Sequence, residues 1–279
     1  MSTSISLDDF LVFREYFYRK TGIRFESSKR YFVDKRLLER MAAHNCATFR
    51  EYFTRLRFQA NGEELQRVTN LLTVNETYFM REEYQFDCLS RSILPELCEH
   101  QPLSKVINIW CIPSSSGEEP YSIAMQLLEN WPNLRNRDVR IIASDINTRM
   151  LDMAEEGLYS ERSVRNIPAT WRARYFTRQG ELYQISDELR ACVEFTHVNL
   201  ANPAEVRRQQ SIDVVFCRNL LIYFDDLSRK EAAESLYDVM SPGGFICLGH
   251  SESMGRISPL FTVRKFPEAI VYQKPWEES

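Results

Sequence analysis

From about residue 105 onward the chain alternates short apolar runs with helical stretches, and that alternation leaves very few folds open to it. The runs are Val106–Ile112, Val139–Ala143, Val193–Val198, Ile212–Cys217 and Phe245–Leu248, with helical periodicity over 119–130, 147–156 and 228–240. Strands joined through helices pair in parallel, so the reading is α/β: a doubly wound sheet with five parallel strands. Ser241-Pro-Gly-Gly244 predicts a turn before the fifth strand. Thr262–Phe266 and Ala269–Gln273, around Pro267-Glu268, predict a closing antiparallel hairpin. Between 170 and 195, Tyr175-Phe176, Glu181–Ile185 and Ala191–Phe195 alternate with turn residues, which predicts a small inserted β subdomain at about 176–193.

Upstream of this region the texture is helical throughout, with segments near 7–20, 29–43, 47–58 and 63–72 and no alternating strand. Two units are therefore expected: a small all-helical domain and linker over 1–92, and the α/β domain over 93–279. No run reaches the ~20 apolar residues of a membrane span, and the start Met-Ser-Thr-Ser-Ile-Ser-Leu-Asp-Asp has no signal core, so a cytoplasmic protein is expected. The seven cysteines, at 46, 88, 98, 111, 192, 217 and 247, form no Cys-x-x-Cys pair and have no histidine at ligand spacing. A reduced compartment and no metal follow, with Cys111, Cys217 and Cys247 read as buried small hydrophobes.

A net charge of −4 argues against general nucleic-acid affinity. The charge is uneven, however: residues 1–60 hold 12 Lys/Arg against 7 Asp/Glu. A basic amino-terminal part on an acidic protein suggests an acidic macromolecular partner. Wound as a helix, Lys29, Arg36 and Arg40 fall within about 40° of one another. They form either a docking stripe, interrupted by Glu39, or an ordinary solvated face.

Ligands of open α/β sheets lie across the carboxyl ends of the strands, so functional residues should recur there. The stretch Ile109–Ala124 reads as a buried strand, a turn of small residues and a helix start, with Gly117 allowing close backbone approach and Pro120 suited to the first helical turn. It lacks both the dinucleotide Gly-x-Gly-x-x-Gly and a Walker lysine. Asp145 ends the second strand, where it can accept hydrogen bonds from both hydroxyls of a ribose or, alternatively, cap the following helix. The third strand ends in His197-Val198-Asn199-Leu200, whose polar group suits an adenine edge. The fourth ends in Cys217-Arg218-Asn219 followed by Tyr223-Phe224, making Asn219 and Tyr223 candidates for the reacting centre against the alternatives of a turn asparagine and a core tyrosine. Asn75, Thr77 and Arg81 stand at i, i+2 and i+6; an extended segment would aim all three at one ligand and a helix would not, and periodicity leaves both open.

Taken in order, these motifs resemble the chemotaxis receptor methyltransferases of the CheR type. The likeness covers nearly the whole chain. It rests on Asn75-x-Thr77-x-Phe79-x-Arg81-Glu82, Ser116-Gly117-Glu118-Glu119-Pro120-Tyr121-Ser122, Ala143-Ser144-Asp145-Ile146, Phe216-Cys217-Arg218-Asn219-x-x-Ile222-Tyr223-Phe224 and Gly249-His250-Ser251-Glu252. The resemblance implies the methyltransferase sheet and a transferase that moves a methyl group from S-adenosylmethionine to glutamate carboxylates on chemoreceptor helices, leaving S-adenosylhomocysteine. It implies that Asn75, Thr77, Arg81, Glu118, Asp145, Asn199, Leu200, Asn219 and Leu220 line the cofactor pocket, with Arg81 and Tyr223 at the transferred methyl. It also favours Lys29, Arg36 and Arg40 as the receptor-docking stripe. Some members add a receptor tail peptide to the small sheet, but the compact β insertion here favours a member that does not need that peptide and binds it weakly at most. A monomer recruited to membrane receptor arrays without insertion is expected. The alternatives are a methyltransferase-like signalling scaffold without catalysis, and a methyltransferase for another protein or nucleic acid; the latter lacks the Asn/Asp-Pro-Pro-aromatic motif at Asn219-Leu-Leu-Ile. Ile112-Pro113 departs from the small residues expected there, and His250 is read as structural or as part of the pocket rim.

Overall fold

The computed structural model describes residues 4–276. Its first four helices, α1 (Leu7–Thr21), α2 (Arg30–Ala43), α3 (Phe49–Phe58) and α4 (Glu63–Leu72), follow the expected helical segments. Local chemistry sets their ends: Ser6 accepts the Asp9 N–H at the start of α1, and Thr48 with Glu51 forms a capping box at α3. Their buried faces carry Phe10, Phe13 and Phe17, Val33 and Leu37, Tyr52 and Leu56, and Val68 and Leu72, at the three- and four-residue spacing of an amphipathic helix. An extended strap over 74–78 follows, then one continuous helical run: α5 (Glu83–Cys88), a π turn at Leu89–Ile93 and α6 (Leu94–His100). The boundary drawn after residue 92 cuts through this run, whose Phe86, Leu89, Leu94 and Leu97 are buried with strand residues Phe216 and Phe245.

The remaining strands are β1 (Ile107–Cys111), β2 (Val139–Asp145), β3 (Leu158–Ser160), β4 (Phe176–Gln179), β5 (Leu182–Ile185), β6 (Val193–His197), β7 (Ile212–Cys217), β8 (Met240–Leu248), β9 (Thr262–Lys265) and β10 (Ile270–Gln273). Seven form one sheet in the order β6-β2-β1-β7-β8-β10-β9, with the first five parallel and β10 antiparallel to both neighbours. Helices α7 (Glu118–Asn130) and α8 (Thr148–Glu156) follow β1 and β2, and Asp226–Val239 precedes β8. The two-residue strand period divides the side chains between two cores. Trp110, Ile112, Val215 and Ile246 join the four-helix layer, while Ile109, Cys111, Val214, Phe216 and Phe245 join α5 to α7. Cys111, Cys217 and Cys247 are buried free thiols in these cores. Among the described residues no helix is long and apolar enough to cross a membrane.

Two expectations are corrected here. Ser241–Gly244 lies within β8 as a bulge, where pairing with β7 shifts register between Ile212 and Val214, and the Gly243 N–H donates to Lys274 O. The inserted sheet runs in the order β3-β5-β4, and so spans 158–185 rather than 176–193. Residues 193–197 pair instead with β2 at the edge of the large sheet.

Candidate active site

A cleft of about 490 Å³ opens over the carboxyl ends of β1, β2 and β7. Its opposite wall is made by Ile23, Phe25, Lys29 and Phe32 of the helical layer and by residues between Leu72 and Arg81, the segment that contains the strap. A small annex of about 30 Å³ shares Ile23, Pro113, Asp145, Ile146 and Leu220 with it and adds Val198, Asn199 and Leu200. Asn75, Thr77, Arg81, Asp145, Asn219, Leu220 and Tyr223 line the cleft, and Asn199 and Leu200 line the annex. The strap is extended through Asn75 and Thr77, which brings three residues that a helix would separate onto one wall.

Asp145 is buried between cleft and annex, its carboxylate accepting the Ser115 and Asn147 N–H groups, each at 2.8 Å. Burial pushes its carboxyl up to about 6 against those two hydrogen bonds. It does not cap α8; Asn147 does, by accepting the Met150 N–H. The turn beneath has Gly117 at φ 94°, and a Cβ there would lie 3.0 Å from Ala154 Cβ, Tyr121 and the Tyr159 hydroxyl, so glycine is required. The Ile112–Pro113 peptide is cis, and Pro113 lines both cavities where a small residue was expected.

Glu118 is the clearest departure. Its carboxylate faces away from the cleft and accepts the Ser116 and Ser163 hydroxyls at 2.7 and 2.8 Å. The residue on the cleft wall is Glu119, one helix position or about 100° further round. Sequence could not choose between adjacent glutamates on a helix whose rotation was unknown. Glu119 pairs with Arg218, whose side chain is 3% exposed, at 2.7 Å. Arg218 also reaches Glu82 at 3.2 Å and donates to the Arg81 carbonyl at 2.7 Å. Burial raises Glu119 to about 7 despite Arg218. Glu82 feels the same burial, but Arg218 and a hydrogen bond to His250 outweigh it and hold Glu82 below its ordinary value. Arg218 was not among the expected site residues. The available signal was an arginine directly after a buried strand that is apolar but for Asp213, because a buried guanidinium needs carboxylate partners.

The turn after β7 is tied by Glu252, which accepts N–H groups from Asn219, Gly249 and Ile222 at 2.8, 2.9 and 3.3 Å. Asn219 adopts φ 57°, and a Cβ on Gly249 would lie 2.6 Å from its side-chain nitrogen, so any larger residue there would push the Asn219 side chain aside. Met80 and Glu82 on either side of Arg81 are also left-handed, a conformation that costs about 1–3 kcal/mol per residue and persists only where surrounding contacts enforce it. The Arg81 guanidinium donates to Glu76 O at 2.9 Å and lies over the Tyr78 ring. The helical layer seats the Tyr223 turn: the Arg24 N–H donates to Tyr223 O, and Ile23 forms a bridge with Phe224. Burial raises the Tyr223 hydroxyl, opposed chiefly by the Arg81 charge. His250 does not line the cleft; it is exposed and bonds Glu82 at 2.9 Å.

The expected docking stripe is largely internal. Arg40 forks onto the buried Glu64 at 2.9 and 2.6 Å. Arg36 donates to Leu71 O and Phe32 O and sits 3.5 Å over the Phe32 ring. These two cations join α2 to α4 because the stripe's face packs against that helix. Lys29 remains exposed, in a 3-10 turn ahead of α2, and lines the cleft mouth.

The lining fits S-adenosylmethionine on its own chemistry. Glu119 Oε1 and Ser114 Oγ are buried acceptors without a partner on the cleft wall, as an ammonium donor requires. Asp145 stands at the junction with the annex, where ribose hydroxyls could donate, and Arg81 offers a cation to a carboxylate. Among the described residues, no cluster of His, Cys, Asp and Glu is arranged to hold a metal.

Comparison with known proteins agrees with this chemistry. Residues 8–73 match the CheR methyltransferase all-alpha domain, and residues 75–270 match the CheR methyltransferase SAM binding domain. The chain is 54% identical over 268 residues to chemotaxis protein methyltransferase 2 of Vibrio cholerae serotype O1, covering 96% of this chain and 93% of that relative. It is 36% identical to chemotaxis protein methyltransferase 2 of Pseudomonas aeruginosa, over 91% of this chain and 89% of the relative. It is 31% identical to a chemotaxis protein methyltransferase of Borreliella burgdorferi, over 91% of each.

Proposed function

This chain belongs to the CheR methyltransferase family, and from that premise we propose that it esterifies glutamate side chains on chemoreceptor cytoplasmic helices, with S-adenosylhomocysteine as the other product. S-adenosylmethionine, when bound, supplies an activated sulfonium methyl. The protein's part is then alignment and exclusion of water, because a carboxylate is already a nucleophile at neutral pH. The observation that supports a carboxylate substrate is that Arg81 and Tyr223 line the same cleft, with the Arg81 charge acting on the Tyr223 hydroxyl. Asp145 accepts two backbone N–H groups and Glu119 meets Arg218 through one oxygen, and the reaction needs no general base from either.

In this reading Asn75, Thr77 and Glu119 hold the amino-acid end of the cofactor, Asp145 its ribose, and Asn199, Leu200, Asn219 and Leu220 its base and flank. Glu118 supports the turn from behind. Arg81 orients the incoming glutamate and Tyr223 steers the methyl in line. Lys29 at the cleft mouth meets the acidic receptor helix. The inserted sheet has strands of three or four residues, too little backbone for more than weak pairing with a receptor tail. The test is incubation with radiolabelled S-adenosylmethionine and receptor-containing membranes, followed by base. Volatile radioactive methanol is expected; base-stable label, or no label, overturns the proposal.

A further inference from the structure

We infer that Arg218 is a positioning residue for methyl transfer, clamping the Arg81 turn and the Asn219–Tyr223 turn into one unit; this rests on the proposed roles of Arg81 and Tyr223. Arg218 belongs to both turns at once. Its backbone directly follows β7 and leads into left-handed Asn219, while its side chain crosses to the Arg81 turn after the strap. There, Arg81 lies between left-handed Met80 and Glu82. Three contacts enforce that shape: Ser122 Oγ accepts the Met80 N–H at 3.0 Å, Arg218 donates to Arg81 O at 2.7 Å, and the Glu82 carboxylate receives Arg218, Gln85 and His250.

The same guanidinium binds Glu119 in the first turn of α7, so the loops after β1 and β7 and the strap meet at one side chain. Phe86 lies against its face, with its guanidinium carbon 5.5 Å from the ring centroid. Its Nε is buried and unpartnered, so the donors are aimed at these loops at the expense of its own full satisfaction. A planar fork can serve Glu119 and the Arg81 carbonyl from separate nitrogens, whereas one ammonium on a flexible stem cannot hold both in the same geometry. Losing the fork leaves the charge but frees the Arg81 turn.

A double-mutant cycle tests this with Arg218→Lys and Arg81→Lys. Arg218→Lys should lower kcat at least about tenfold with the receptor KM changed less than about twofold. In the Arg81→Lys background the same change should lower kcat less than about twofold, because the position it maintains is already lost. Equal losses in both backgrounds, or an undiminished kcat, overturn the inference. Should Arg218→Lys fold poorly by thermal unfolding, Glu82→Gln, which loosens the clamp while keeping the arginine, takes its place in the cycle under the same criteria. The Arg81 Nε–H resonance, read without receptor, should shift in either clamp variant. An unmoved resonance overturns the clamp whatever the substrate, whereas a moved resonance with no methyl ester from the wild type overturns only the substrate reading.

Discussion

Two glutamates, the buried Glu64 in the helical layer and the half-buried Glu119 on the cleft wall, each meet an arginine, and the contrast between them separates structure from site. Glu64 is 1% exposed and fully engaged: Arg40 forks onto it, while His44 and the Tyr52 hydroxyl bond it at 2.7 Å each. Burial pushes its carboxyl up, but Arg40, His44 and Tyr52 outweigh this and hold it at about 2. Glu119 receives Arg218 on one oxygen and nothing on the other, and burial carries it to about 7. A buried carboxylate with every acceptor filled holds elements together; one left half-filled on a cleft wall awaits a ligand.

The largest expected effect breaks the structural half of this contrast. Arg40→Ala should destabilise the protein by about 3–5 kcal/mol in denaturant unfolding, because Glu64 is left buried without its main partner. A docking role alone would instead weaken receptor binding and leave stability unchanged. Next, Arg81→Ala should lower kcat/KM at least about 100-fold, roughly 2.7 kcal/mol, without changing the unfolding midpoint. Methylation at the full wild-type rate would remove Arg81 from the reacting centre.

The two glutamates should then give opposite pH slopes. Glu64 is held below its unfolded value, so its stabilisation is complete above about pH 4.5 and is lost as pH falls through about 2. Glu119 is raised, so its protonated form favours folding at low pH and that contribution is lost as pH rises through about 7. Unfolding of Glu119→Gln between pH 5 and 8 should lack the second slope; an unaltered slope assigns it to another group. The smallest effect is expected for Tyr223→Phe, about a tenfold loss of kcat or less, roughly 1.4 kcal/mol. A loss as large as that of Arg81→Ala would mean that the hydroxyl does more than steer.

Much of the fold was legible because it rests on patterns local to a few residues. The apolar runs gave the parallel strands, their parity distributes side chains between the two cores, and Thr48 with Glu51 marks a helix start. The Ser241–Gly244 turn was misread because the Gly243 N–H finds its partner across the sheet, at Lys274, a contact invisible to local chemistry. The strand Leu158–Ser160 was missed because three residues carry too little period to stand out, and it exists by pairing with β5. At the site, strand ends pointed to Asp145, Asn199 and Asn219, which do line the cavities. The choice between Glu118 and Glu119 depended on the rotation of α7, and the clamp at Arg218 on partners 99 and 137 residues away along the chain.

By itself, the sequence determined the alternation of strand and helix, the separate helical layer, the strand-end acids and amides, and a set of motifs specific enough to indicate the family. Those properties are short-range or carried by residue identity. Only the tertiary structure decided which charges are spent inside: Arg40 on Glu64, Arg36 on backbone carbonyls, and Arg218 on Glu119 and Arg81. A side chain's charge is fixed by its chemistry. Whether that charge meets solvent, a partner or an unfilled cleft depends on what folding brings within three ångströms of it.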